Sequence, residues 1–198
     1  MATFEEQAVK SYYNLKGYFT IENISFPSKE KKKGGRNRGE IDLIAIKIDR
    51  NSGKVKEAIH IEVSPSLTEN FPFISDNQAD EVRKLLKKFF ISDSDFKLKE
   101  FYEEDYKFQF VSGRFGKDAE ERLKRRLEEL GAEVLDIRME GESILVKVRY
   151  EGKTKEIRIV QFTNILKELI MLTKGRREYS FNPIIRALQW FNCIKEHF

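Results

Sequence analysis

An α/β fold, a mixed β-sheet flanked by helices, is predicted by three observations. Two apolar runs, Ile41 to Ile48 and Ala58 to Val63, read as strands joined by the polar turn Asn51-Ser52-Gly53. Residues at helical spacing stand before them (Phe4, Ala8, Tyr12, Leu15) and after them (Val82, Leu85, Leu86, Phe89). Further on, the strand-like KFQFVS, a helical stretch with Leu123, Leu127 and Leu130, and the run AEVLDIR form a strand, helix, strand unit, whose parallel crossover is right-handed by strong precedent.

The elements follow in order. The first helix is expected from Phe4 to Lys16, with Thr3 and Glu6 at capping-box spacing and Gly17 as its stop. Tyr18 to Phe26 should be the first strand. Pro27 to Gly39, with Gly34 and Gly35 inside it, breaks regular structure. After the two apolar strands and Pro65 and Pro72, a helix is expected from Asp76 to Phe90, with Ser75 and Gln78 at capping-box spacing and Lys84, Lys87 and Lys88 solvated. Asp118, with Glu121, should cap the next helix, which runs to Gly131 and leads into a parallel strand. Ser143 to Tyr150, the turn Glu151-Gly152-Lys153 and a return strand through Ile157 and Ile159 make a β-hairpin. Two helices end the chain, the last with Asn182 as cap and Pro183 in its first turn. Residues 1–140 read as the main domain, and 141–198 as an extension of it or a small accessory subdomain.

The chain of 198 residues, 40% apolar and 35% charged, is globular rather than disordered. Cys193 is its one cysteine, so no intramolecular disulfide is available and a reducing setting is expected. No apolar run approaches the roughly 18 residues that span a bilayer, and the first residues lack the basic and apolar regions of a signal peptide, so a soluble, cytoplasmic protein without a membrane partner is expected. The net charge of +4 is unevenly spread: residues 29–38 hold six basic side chains and one acidic, whereas residues 93–105 hold six acidic and two basic. A local basic loop suits a polyanion, and Lys31, Lys32, Lys33, Arg36 and Arg38 are candidate clamps on DNA phosphates, beside the alternative of a solvated loop.

Chemistry concentrates in the two apolar strands. Each carries one carboxylate where a core strand should be apolar, Asp42 in the first and Glu62 in the second. A buried charge costs several kcal/mol unless it is paired or binds a metal. Period-two geometry puts Glu40 and Asp42 on one face of their strand and His60, Glu62 and Ser64 on one face of the other. Asp42 and Glu62 can then hold one Mg2+ or Mn2+, since hard divalent ions take oxygen ligands and keep several waters. The alternative is a pair of strand-end acids facing solvent. His60 reads as a packing or hydrogen-bonding histidine, and Gln78 either caps its helix or faces the acids. The chain has no CxxC, HExxH, Walker-type GxxxxGK or GxSxG, so zinc, nucleotide and acyl-transfer chemistry lack support.

GEIDLIAI, then HIEVS, preceded by the helix and turn of FEEQAVKSYYNLKGYFTIEN, resemble the PD-(D/E)XK nucleases, within them the branch of archaeal Holliday junction resolvases and small GEID-type endonucleases. The resemblance covers roughly residues 3–112 and implies a restriction-endonuclease-like αβββαβ core, to which the C-terminal hairpin and two helices are added. It implies a divalent-metal-dependent DNA endonuclease acting on duplex or branched DNA, with Asp42 and Glu62 as metal ligands and Glu6 completing the acidic site. For the C-terminal part three roles stand open on the sequence: extending the sheet, binding DNA, or forming a homodimer interface. The family's last motif position is usually Lys, and here it is Ser64. Another cation, from Lys10, the basic loop or the second helix, then takes the lysine's part, or the chain is a catalytically degenerate nucleic-acid-binding or interaction module.

Overall fold

A computed structural model describes residues 3–27, 38–64, 79–102, 106–174 and 182–196. Lys31, Lys32, Lys33, Arg36 and Gln78 lie outside them, and of Arg38 only the backbone is described.

Helix α1 spans Phe4–Leu15 and has the capping box expected of it: the Thr3 hydroxyl accepts from the Glu6 amide and the Glu6 carboxylate accepts from the Thr3 amide. Gly17, at φ +82°, ends it, with the Tyr18 amide reaching back to the Tyr13 carbonyl. Strands β1 (Phe19–Pro27), β2 (Arg38–Ile48) and β3 (Val55–Ser64) follow as an antiparallel meander. Helix α2 (Ala79–Leu86) continues into a π-helical turn, Lys87–Ile91, and a short α3 (Ser94–Leu98) leads to β4 (Lys107–Ser112), which pairs parallel to β3. Helix α4 (Ala119–Glu129), β5 (Glu133–Glu140), β6 (Ser143–Tyr150), β7 (Lys153–Gln161), α5 (Phe162–Thr173) and α6 (Pro183–Glu196) complete the chain. The result is an α/β protein with a seven-stranded mixed sheet flanked by helices, in the order β1-β2-β3-β4-β7-β6-β5.

Two expectations are corrected. The strand after α4 does not lie beside β4; β7 does, parallel to it, while β5 forms the far edge of the sheet. A strand in the middle of a parallel region needs apolar groups on both faces. β7 supplies Ile157 and Ile159 to one side and Val160 to the other, whereas β5 buries only Val134 and Ile137 in part and alternates them with charge. The strands on either side of the turn at residues 141 and 142 thus belong to one sheet. The second correction concerns Asp118, which stands before α4 in the left-handed region (φ +55°) and makes no side-chain cap.

Two layers sandwich the sheet. On one face α2, its π turn and α4 pack Val82, Leu85, Phe89, Leu123 and Leu127 on Phe110, Ile157 and Ile159. On the other, α1, α5 and α6 pack Val9, Tyr12, Phe162, Ile165 and Ile184 on Leu43, Ile61 and Val111. Each fully buried Phe or Leu here contributes about 1.5–3 kcal/mol relative to exposure. Among the described residues no helix is long and apolar enough to cross a membrane.

Candidate active site

β2 and β3 bring the two carboxylates together. Leu43 pairs with Ile61, and one step further along the same register sets Asp42 across from Glu62. Asp42 Oδ2 accepts the Val63 amide at 2.8 Å. Glu62, almost wholly buried, places Oε1 2.6 Å from His60 Nε2 on its own strand. On β1, the same row of the sheet falls at Asn23, whose φ of +55° interrupts the ladder between Glu22 and Ile24. Positive φ is uncommon outside glycine, Asn being among the residues that adopt it most readily, and residues held in such sparsely populated regions cluster at functional sites.

The third member comes from α2's continuation. Lys88, within the π-helical turn, drops its ammonium onto the acids: Nζ is 2.6 Å from Glu62 Oε2, 3.2 Å from Asp42 Oδ1 and 2.9 Å from the Glu40 carbonyl. A π turn closes on the fifth residue, here Ser92 amide to Lys87 carbonyl, and such turns recur at functional sites. Lys88 is thus not solvated as the sequence led one to expect. Lys84, one turn earlier and exposed, leans to Ser64 Oγ at 3.4 Å.

Burial governs the protonation states. It lifts the Asp42 carboxyl to about 6, helped by the Glu62 charge and opposed by Lys88. Burial also raises Glu62, against the pull of Lys88. For Lys88 burial works against the ammonium, but the charges of Glu62 and Asp42 outweigh it and the net shift is upward. Burial, with the positive charges of Lys155 and Lys88, depresses His60 to about 3, so the ring is neutral. It then donates its Nε2 proton to Glu62, and the contact is a hydrogen bond between a neutral donor and a carboxylate, not an ion pair. The ring stands edge-on to Phe89 and Phe108, which hold its plane.

The other expected site residues are placed as follows. Ser64 ends β3, half-buried beside Lys84. Glu6 is engaged in the α1 cap, and it is not among the contacts of Asp42, Glu62 or Lys88. Lys10 pairs with Glu22 at 3.0 Å rather than with the acids. A cavity of about 1010 Å3 opens at the other end of β3, between Glu57, Tyr106, Lys107 and Lys155, and contains none of the acid pair. The sequence offers a cation from the second helix in the lysine's place, yet reads Lys88 itself as solvated. Its signal was its position three residues after Leu85 and one before Phe89, at the border of the buried stripe rather than at its centre.

Does the acid pair suit a divalent ion? Glu40 O, Asp42 Oδ1 and Glu62 Oε2 converge on one positive charge, which is the oxygen chemistry that Mg2+ and Mn2+ take. Two carboxylates against one ammonium also leave one negative charge in excess. Among the described residues no group of three or more His, Cys, Asp or Glu side chains is arranged to hold a metal. With so few side-chain donors, an ion held here would keep most of its own waters and would compete with Lys88 for the same cup.

No family model matches the chain, and no curated protein matches it. Among solved structures, a protein of unknown function, AF1548, is similar over 70% of this chain and 72% of its own, at 15% identity and a TM-score of 0.35.

Proposed function

We propose that the chain is a divalent-metal-dependent phosphodiesterase acting on DNA, an endonuclease of the PD-(D/E)XK kind. The observation that carries the reading is the seat of Lys88 between Asp42 and Glu62. It returns to the acid pair the cation that the family pattern expects at position 64 and that Ser64 does not supply. Asp42, fixed by the Val63 amide, and Glu62, fixed by His60, would hold the ion. Such an ion polarises a phosphoryl oxygen and lowers the pKa of water. Lys88, drawn aside from the cup by a bound phosphate, offers a charge to the oxygens on which negative charge grows, and such a donor in a water-poor site supplies a few kcal/mol of transition-state stabilisation.

The test is calorimetry with Mn2+ and Mg2+ followed by cleavage of linear, supercoiled and branched DNA. Wild type should bind Mn2+ and cut; Asp42→Asn should do neither; Lys88→Met should bind Mn2+ more tightly and cut more slowly, because the competing ammonium and its catalytic charge leave together. Wild type that neither binds Mn2+ nor cuts defeats the proposal.

One observation favours a second reading. Three of the four carboxylate oxygens of Asp42 and Glu62 already have hydrogen-bond partners within the chain, and the fourth, Glu62 Oε2, has the Lys88 ammonium as its ion-pair partner. A closed ion triad of that kind fits a catalytically degenerate nucleic-acid-binding module, and unchanged Mn2+ titrations in Asp42→Asn and Lys88→Met would favour it.

A further inference from the structure

α2 and its π-helical turn are two-sided. Val82, Leu85, Leu86, Phe89 and Phe90 are buried, whereas Arg83, Lys84 and Lys87 are exposed and Lys88 half-exposed. From Val82 to Ile91 the segment carries four cations and no acid, and Glu81, just before it, is buried. A merely solvated helix face usually mixes both signs at intervals of three and four residues. Helix α4 does so, with Arg125 and Arg126 both on Glu129. On α2 Asp80 stands three and four residues before Arg83 and Lys84, and the stretch after Glu81 carries cations alone. Its cations rise about 6 Å per four residues, and the row ends at the acid pair, where Lys88 is seated. Lys84, 3.4 Å from Ser64 Oγ, lies over the end of β3, at the position where the pattern's lysine would project.

We propose that Arg83, Lys84 and Lys87 are the surface on which a DNA backbone lies as it reaches Asp42 and Glu62, a proposal that rests on the phosphodiesterase reading and names its substrate-binding face. Cations along one side of a helix neutralise phosphates without reading sequence. An anionic membrane is the poorer partner, because interfacial helices insert an apolar face and that of α2 is already buried in the core.

The experiment measures binding of a labelled duplex of about 30 base pairs in chelator, between about 50 and 200 mM salt, where each lost phosphate contact lowers the log-log salt slope by about 0.9. R83Q/K84Q/K87Q should lower the slope by roughly two to three units and keep wild-type Mn2+ affinity. The equal-charge control K117Q/K124Q/R125Q should leave the slope where it is, and R83K/K84R/K87R should bind as wild type does. An unchanged slope in the first variant, an equal drop in the control, or failure of the charge-keeping variant to bind overturns the proposal. Wild type that does not bind the duplex overturns it as well. The phosphodiesterase reading fails separately, on wild-type Mn2+ binding and cleavage, whatever the α2 variants do.

Discussion

His60 and Glu62, two residues apart on β3, bring Nε2 and Oε1 within 2.6 Å with both side chains almost wholly buried. One oxygen of Glu62 is thereby occupied from behind and the other is left to the cation. The same hydrogen bond fixes the histidine tautomer, since a ring depressed to about 3 carries one proton and that proton is on Nε2.

His60→Phe keeps the ring shape and removes the donor. It should lose about 1–3 kcal/mol at pH 7–8, the cost of leaving a buried carboxylate oxygen unpaired. The pH dependence has a definite sign. A histidine whose folded pKa lies below its unfolded value contributes stability above about pH 6.5 that is lost as pH falls toward 3. The phenylalanine variant lacks that loss, and its Glu62 also takes up a proton in acid, so its deficit should narrow below pH 6. Chemical denaturation across pH checks it; a deficit that widens in acid contradicts the assigned tautomer.

Lys88→Met leaves two buried carboxylates without their cation. Because Lys88 is half-exposed, the loss should be about 2–4 kcal/mol at pH 8, at the lower end of what breaking a buried pair costs. It should shrink as pH drops and the acids protonate. Saturating Mn2+ should recover much of it, since an ion that binds only the folded state stabilises it. Thermal melts with and without Mn2+ read this directly, and a variant indifferent to both pH and Mn2+ would mean that the acids are not charged together.

Asp42→Asn removes the excess negative charge. The Asp42 carboxyl is lifted to about 6, above its unfolded value, so its stabilising effect is present in acid and lost as pH rises through 6. Above pH 7 the asparagine variant should therefore match or exceed wild type, by on the order of 1–3 kcal/mol. Cleavage should be lost at the same time. A variant that is less stable than wild type at pH 8 would show that Lys88 more than balances both acids.

Glu81 is a buried acid outside the triad. Burial raises it to about 7, and among the described residues its Oε2 has no hydrogen-bond partner. Its contribution to stability is lost as pH rises through 7, so Glu81→Gln should melt higher than wild type at pH 8.5 and about equally at pH 5. A difference of the same size at both pH values would trace to packing instead.

Ser64→Lys restores the residue that the family pattern expects. With Lys84 beside Ser64 and Lys88 already on the acids, a third ammonium has no vacant role there. Cleavage should stay within about threefold of wild type and stability should fall by up to about 1 kcal/mol from like-charge crowding. A large rise in cleavage would return the lysine's part to position 64.

The strands, the hairpin, the α1 and α6 caps and the acid pair were legible in the chain, because each is written in short-range terms. Period-two apolar runs mark β2 and β3, and a lone Asp42 or Glu62 within such a run stands out because burial makes it expensive. Asn182 before Pro183 marks the start of α6, and its side chain accepts from the Ile184 and Ile185 amides. What tertiary structure decided is of longer range. The place of β7 beside β4, with β5 at the edge, follows from which strand is apolar on both faces once helices cover the sheet, a comparison between segments and not a property of either. Lys88 reads locally as one more surface lysine; only the packing of α2 and its π turn on β4 and β7, with Phe89 against His60 of β3, turns its ammonium into the acid pair.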